Sequence, residues 1–228
     1  MQILPDVYWI DGKSSNLYLC VDEDGLTLID TGSPRRQELV FKTIREIGCQ
    51  PSDLIRILIT HADIDHAGSA AVLQAETAAT IYASAATAGF LRRGETPKHL
   101  PWPVQVVLNR FMGYTPVAPD AIETVEEGDI LPVLGGLHVL ATPGHTPDHH
   151  AFFSPTHGVL FAGDALNTRG GRIQSTPRLI TADEKAARRS AIRLLQLTPA
   201  VVACGHGQPM GHHSAEDLMA LFNELRYE

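Results

Sequence analysis

Basic charge is in short supply in this chain. Lysine and arginine number 18 against 26 aspartates and glutamates in 228 residues, a formal net charge of −8. Arginine pairs such as Arg35-Arg36 and Arg188-Arg189 extend into no longer basic run. That balance repels a nucleic-acid backbone and excludes it as a partner. Cysteine is scarcer: Cys20, Cys49 and Cys204 are odd in number and widely spaced. This excludes a disulfide framework and suits a reducing compartment. No apolar run approaches the roughly 20 residues that span a bilayer, and residues 1–6 carry no basic region ahead of an apolar core, so neither a membrane partner nor a signal peptide is expected. Hydrophobic content of 44% and charged content of 19% are ordinary for a folded protein. The expectation is one domain over residues 1–228, cytoplasmic, acting on a small molecule, with the oligomeric state open.

What the chain does have is concentrated at Thr60-His61-Ala62-Asp63-Ile64-Asp65-His66-Ala67-Gly68. The strand-like run at 55–59 precedes it. Four metal-capable side chains, His61, Asp63, Asp65 and His66, fall within six residues, and imidazole and carboxylate are ligands that suit zinc, iron or manganese. A helix is expected to begin near His66, with Asp65 as its cap.

Short apolar runs at 7–10, 17–21 and 26–29, punctuated by Asp11-Gly12 and Asp24-Gly25, read as a β-meander. Pro34 suits the first turn of a helix running to about Gly48, with Leu39, Val40, Thr43, Ile44 and Ile47 as its stripe. Helix is expected over 67–78 and from 84 to 93, strand over 80–83. Residues 95–120 hold five prolines and the large apolar groups Trp102, Phe111, Met112 and Tyr114. Such a stretch reads as a partly helical flap over the site. Further strands are expected at 122–125, 130–133, 137–141, 151–153, 159–162 and 200–203, and helices at 183–197 and 214–226.

The two halves share a plan. The run 26–29 ends in Asp30, a helix follows, and a strand delivers His61; the run 159–162 ends in Asp164, a helix follows, and a strand delivers His206. Two sheets face to face with helices outside would bring both sets of strand ends to one rim. His145, in Thr142-Pro143-Gly144-His145, joins them. Seven groups (His61, Asp63, Asp65, His66, His145, Asp164 and His206) suffice for two ions about 3.5–4 Å apart that share a carboxylate and hold a hydroxide. Asp30 reads either as a group steadying a ligand or as a simple strand-end cap.

The set His61-Ala62-Asp63-Ile64-Asp65-His66, Gly144-His145-Thr146, Gly163-Asp164 and Gly205-His206-Gly207 resembles that of the metallo-β-lactamase-fold hydrolase superfamily, over about residues 7–206. The resemblance implies an α+β fold, a four-layer αβ/βα sandwich with the metal centre at one end. It implies that His61, Asp63 and His145 hold one ion, that Asp65, His66 and His206 hold the other, and that Asp164 bridges. It also implies that Asp65 is catalytic, orienting the hydroxide. Aspartate stands at 63 where the family usually has histidine. The third carboxylate points to a harder site, with two divalent ions, zinc first and manganese or iron alongside. Asp148 replaces a frequent glycine, His149 is a candidate outer ligand-supporting group, and His150 points the other way. His99, His138 and His157 are expected to have no role, and the pair His212 and His213 to be solvated.

The expected reaction is attack of metal-bound hydroxide on an ester, thioester or lactone of a small metabolite. Cys204 is expected to pack as a small apolar group. Few residues follow His206, so the glutathione-binding helical domain of glyoxalase II, and with it that activity, is not expected. A mononuclear iron persulfide dioxygenase of the same fold, or a non-catalytic metal-binding module, are the alternatives. In the loop 166–178, Arg169 and Arg172 read first as ordinary surface charge, with contact to an anionic substrate group as the alternative.

Overall fold

The computed structural model describes residues 1–99, 113–211 and 215–227. Seven strands form one sheet in sequence order: β1 (Gln2–Leu4), β2 (Val7–Asp11), β3 (Asn16–Asp22), β4 (Gly25–Ile29), β5 (Leu54–Leu58), β6 (Thr80–Ala83) and β7 (Ile122–Thr124). The first four pair antiparallel; β4 through β7 run parallel. The second sheet contains β8 (Ile130–Leu131), β9 (Leu137–Ala141), β10 (His150–Ser154) and β11 (Val159–Gly163). A small ribbon, β12 (Leu166–Asn167) with β13 (Gln174–Ser175), precedes its last strand, β14 (Val201–Cys204). The order is β14-β11-β10-β9-β8, and only β11 with β14 is parallel.

The core is divided into three layers of contact. Between the sheets, Tyr18, Ile29 and Leu58 of the first meet Val139, Phe152 and Phe161 of the second. Because side chains alternate along a strand, the opposite faces are also apolar and need covers. On the first sheet Leu19, Leu28 and Ile57 lie beneath α1 (Gln37–Glu46), α3 (Ala70–Thr77) and α4 (Ala85–Leu91), through Val40, Phe41, Ile44, Leu73 and Leu91. On the second, Leu160 and Val202 lie beneath α5 (Glu184–Leu195) and α6 (Ala215–Tyr227), through Ala191, Leu194, Leu218 and Leu221. Helix, sheet, sheet, helix is the αβ/βα sandwich expected from the duplicated plan. Burying each large apolar side chain contributes about 1.5–3 kcal/mol.

Three local expectations need correction. Pro34 does not open α1. Its ring packs on the backbone of Gly68, where a Cβ would stand 2.5 Å from Pro34 Cδ. Arg35 then turns at φ +70° before the helix starts at Gln37. Second, the cap of the motif helix is Asp63, not Asp65. The one-turn helix α2 (Ile64–Ala67) has Asp63 at its N-cap position, where the backbone carbonyl accepts from His66 and Ala67 at 2.9 and 2.8 Å. The Asp63 carboxylate makes no cap and turns toward three imidazoles instead. Third, the helix expected over 67–78 is interrupted at Gly68-Ser69, because the Ser69 hydroxyl leaves the helix to bond Ser33 O at 2.7 Å and Arg36 N at 2.9 Å.

Two other helix starts carry side-chain caps. Ser84 Oγ accepts from Thr87 N at the start of α4, and Asp183 Oδ1 accepts from Ala186 N at the start of α5. Ser214, His212 and His213 lie outside the described residues, as does the middle of the 95–120 stretch, including Trp102, Phe111 and Met112. Its two ends are described. Tyr114 is buried, and its hydroxyl contacts Glu95 O at 2.9 Å and Ala62 O at 3.2 Å, so the stretch is tied to the histidine motif at its base. Among the described residues, no helix is long and apolar enough to cross a membrane.

Candidate metal centre

Two of the parallel pairs, β4 with β5 and β11 with β14, end on the same rim of the sandwich. Each delivers site residues just past its last hydrogen-bonded position, where backbone groups no longer constrain the side chains. Residues 30 and 60–66 come from the first pair, residues 164 and 205–206 from the second. The β9–β10 connection adds His145, Asp148 and His149.

Asp30 settles between its two readings. Its carboxylate accepts from Thr60 N at 2.9 Å and from Thr60 Oγ1 at 2.9 Å, and it lies 2.8 Å from His66 Nδ1. A carboxylate only accepts, so His66 Nδ1 carries the proton and Nε2 turns its lone pair into the site. Thr60 Oγ1 spends its single hydrogen on Asp30. It therefore accepts from His61 Nδ1 at 2.9 Å, which leaves His61 Nε2 as a lone pair facing the same way.

His149 has a different task. Its Nε2 accepts from the backbone N–H of Asp164 at 2.9 Å, and its Nδ1 donates to Thr142 Oγ1 at 2.7 Å. Both nitrogens are occupied, so the ring positions Asp164 and does not itself face the centre. Burial, with His61 and His145 adding to it, holds its pKa well below the ordinary histidine value. The fit leaves no side chain room at Gly163, whose φ is +49° and whose Cβ would lie 2.5 Å from His149 Nε2.

All seven residues read from the sequence converge. His61 Nε2 and His145 Nε2 lie 3.5 and 3.2 Å from Asp63 Oδ2. His206 Nε2 lies 3.7 Å from Asp65 Oδ2. Asp164 reaches both sides: Oδ1 is 3.4 Å from His66 Nε2, and Oδ2 is 3.6 Å from His145 Nε2 and 3.1 Å from His206 Nε2. Two clusters, His61 with His145 and Asp164, and Asp65 with His66 and His206, each hold three donor atoms within 4.8 Å of one another.

These donors fit divalent cations. His61 Nε2, His66 Nε2, Asp63 Oδ1 and Asp164 Oδ1 are buried without a hydrogen-bond partner, an expensive state for polar atoms. Two ligand atoms each about 2.1 Å from one tetrahedral ion would be about 3.4 Å apart, and the N–O separations here run from 3.1 to 3.7 Å. The electrostatics agree. Burial pushes the Asp164 carboxyl up, but His66, His206 and His145 outweigh it and hold it well below the usual range. Burial likewise opposes the ionisation of Asp63, and His145, His61 and His99 overcome it. Burial disfavours the charged form of His66, yet Asp164, Asp30 and Asp65 drive its pKa well above the ordinary value. The cluster demands positive charge, which protons or metal ions can supply.

Two residues missed in the sequence belong here. Asp148 Oδ2 accepts from Ala62 N at 3.1 Å and Thr87 Oγ1 at 2.8 Å, clamping the motif to the start of α4. Its signal was the departure from glycine, noted without a role. His99, expected to have none, places Nε2 3.1 Å from Asp63 Oδ2. No local pattern marked it. His157 bonds Leu134 O at 3.0 Å, away from the centre, and His138 lies in β9.

The C-terminal rim is held by β3. Asn16 Nδ2 donates to Cys204 O at 2.9 Å, Tyr18 OH donates to the same carbonyl at 2.7 Å, and Asn16 N donates to Gly205 O at 2.7 Å. The Cys204 thiol is fully buried among apolar groups, and burial first, then Asp164, pushes its pKa up. It packs as expected and is no nucleophile. A cavity of about 300 Å³ opens over the centre, with Ile64, Thr96, Arg169 and Ile180 in its wall. Arg172 faces a different cavity, beside Asp217 and Glu224, so of the two candidate arginines only Arg169 reaches the site.

Comparison with known proteins agrees with this geometry. The Bacillus subtilis (strain 168) uncharacterized protein YobT is 29% identical over 201 residues, 85% of this chain and 83% of that one. The probable metallo-hydrolase YflN of the same organism is 25% identical, over 96% of this chain and 90% of its own length. An N-acyl homoserine lactonase of Bacillus thuringiensis is 26% identical over 69% of this chain and 68% of its own. Among solved structures, a metallo-β-lactamase family protein from Thermus thermophilus superposes with a TM-score of 0.74 at 27% identity, covering 99% of this chain and 79% of that one. The profile of the metallo-β-lactamase superfamily matches residues 10–206. With that match spanning most of its length, and with histidine and aspartate clusters able to hold metal at the shared rim, this chain belongs to the metallo-β-lactamase superfamily.

Proposed function

We propose that this protein is a metal-dependent hydrolase that cleaves an ester, thioester or lactone bond of a small, anionic metabolite. The observation that carries the reading is the two-sided contact of Asp164, one oxygen toward His66 and the other toward His145 and His206. On this reading His61, Asp63, His145 and Asp164 would hold one divalent ion, and Asp65, His66, His206 and Asp164 the other. Such ions lower the pKa of water at neutral pH and polarise a carbonyl oxygen.

The chain's own residues supply the rest. Asp65 is the most open of the three carboxylates: its side chain is 27% exposed, against 12% for Asp63 and 4% for Asp164. On this reading its carboxylate would orient the attacking water. Asp30 and Thr60 keep the protons of His66 and His61 on Nδ1, so both rings present Nε2 inward. No serine or cysteine nucleophile is required. The names of the relatives, a probable metallo-hydrolase and a lactonase, support hydrolysis and favour a carbonyl substrate.

Purified protein supplied with zinc, manganese or iron and offered a panel of thioesters, lactones and phosphodiesters tests this. Turnover of a carboxylic ester, thioester or lactone, lost on chelation and restored by metal, is expected. The three carboxylates lead us to expect manganese or iron bound beside zinc; metal analysis returning zinc alone at two equivalents would remove that part. Oxygen uptake with a persulfide, with no hydrolysis, would replace the reading by the dioxygenase.

Arg169 lines the cavity, and guanidinium pairs well with carboxylate or phosphate. Arg169→Ala is expected to raise KM for an anionic substrate about ten- to a hundredfold, the worth of a hydrogen bond to a charged group, and to leave KM for its neutral counterpart unchanged. Steady-state kinetics on a matched pair of substrates checks it; equal effects on both would discard the anionic assignment.

A further inference from the structure

Position 63 poses a problem that the seven converging residues do not solve. The family usually places an imidazole there, and this chain offers a carboxylate. One side of the centre is thereby short of a nitrogen donor. A nitrogen from another part of the chain occupies the same neighbourhood. His99 Nε2 lies 3.1 Å from Asp63 Oδ2, its side chain is only 5% exposed, and its ring centroid stands 4.9 Å from that of His145. Asp63, His99 and His145 form a third cluster of donor atoms within 4.8 Å of one another.

The hydrogen bonding of His99 restricts what it can be doing. Its Nδ1 lies 3.2 Å from Pro97 O. A carbonyl oxygen only accepts, so Nδ1 carries the proton. In the neutral ring, Nε2 then aims a lone pair at an ionised carboxylate, which is repulsive. A second proton on the ring or a cation between the two groups relieves it. The surroundings favour the cation. Asp63 Oδ2 is approached by three imidazole nitrogens, from His61 at 3.5 Å, His145 at 3.2 Å and His99 at 3.1 Å. That exceeds the two hydrogen bonds its lone pairs can accept. A far N–H anchored on a backbone carbonyl is the usual arrangement of a metal-ligating histidine, and the near nitrogen and the Asp63 carboxylate would then share one cation. Tyr114 steadies the segment by bonding Glu95 O, four residues before His99, and also reaches Ala62 O inside the motif.

We propose that His99 ligates the same divalent cation as Asp63 and His145, its imidazole replacing the one given up where aspartate stands at position 63. The proposal rests on the metal-centre reading above and goes beyond it. It adds an eighth ligand from the 95–120 stretch, and it makes the described base of that stretch part of the centre.

Cobalt(II) titration of chelator-stripped protein, followed by d–d absorption and by competition with a metallochromic dye, tests it. The wild type is expected to take two equivalents. His99→Ala is expected to bind one of them with an affinity lowered by at least the ten- to hundredfold that loss of a mere supporting partner costs, and the other as before. Asp63→His in the His99→Ala background is expected to restore the lost affinity. His99→Cys gives an independent reading that does not depend on a deletion: a thiolate-to-cobalt charge-transfer band appears only if side chain 99 lies in the coordination sphere. Far-UV circular dichroism and a thermal melt of each metal-free variant establish folding. Wild-type affinity and spectrum in His99→Ala, with no charge-transfer band in His99→Cys, would overturn the proposal and leave His99 as a protonated latch on Asp63. A wild type that takes up no cobalt would instead overturn the metal-centre reading itself.

Discussion

Replacing Asp164 by alanine is expected to cost two functions at once: bound metal falls from two equivalents to one or none, and turnover falls by about a thousandfold or more. The carboxylate is buried and spans the centre, with Oδ1 toward His66 and Oδ2 toward His145 and His206. Removing it takes a donor from the His61 and His145 cluster and the neighbouring negative charge from His66 and His206 in the other, and so leaves buried imidazoles with less to balance a cation. Polarisation of a reacting oxygen by a metal is worth several kcal/mol, and about 4 kcal/mol corresponds to the stated loss of rate. The fold has little reason to fail, because the strand β11 leading to it is closed by its own ladder with β10 and β14. Metal analysis and kcat on the best substrate of the panel, with circular dichroism as the control, decide the matter. Full metal content with a rate within tenfold of wild type would remove Asp164 from the centre.

Gly205→Ala, a change of one methyl group, should be nearly as damaging. A Cβ there would lie 2.2 Å from Asp164 Oδ1 and 2.5 Å from His66 Cε1, well inside van der Waals contact. The backbone cannot retreat cheaply, because Gly205 N donates to Gly163 O at 2.7 Å and Gly205 O accepts from Asn16 N at 2.7 Å. The two site residues must move instead. Overpacking of this kind costs about 1–3 kcal/mol, and roughly 2–4 °C of Tm per kcal/mol for a chain of this size. Loss of metal affinity on the His66 side should accompany the fall in Tm. Gly89→Ala is the contrast. It sits inside α4, and its Cβ would meet nothing nearer than Arg93 Nη1 at 3.5 Å; stability should rise slightly, since alanine is the better helix former. Calorimetry of the two variants side by side would expose an error in the packing if their order were reversed.

The parts of the site visible in the sequence are those written in a short window or repeated at a distance. His61, Asp63, Asp65 and His66 stand together after an apolar run, and Asp30, His61, Asp164 and His206 repeat one plan. Parallel strands on one rim then bring them within a few ångströms. Asp148 and His99 gave no such signal. Asp148 matters because it faces Ala62 N and Thr87 Oγ1, partners 86 and 61 positions away in sequence. His99 matters because its segment returns to Asp63. Helix boundaries erred for a related reason: Pro34 and Asp65 have good local propensity for the roles expected of them, but Gly68 and the imidazole cluster offered stronger partners.

Alone, the order of residues determined the ligand types, the strands that carry them and the family pattern they match, because side-chain chemistry and strand periodicity are local properties. The tertiary structure decided which lone pair each imidazole turns inward, that Asp164 faces both clusters, that Arg169 and not Arg172 reaches the cavity, and that His99 belongs with Asp63. Those are distances between groups far apart in the chain, and they exist only once two sheets have packed face to face and their strand ends share an edge.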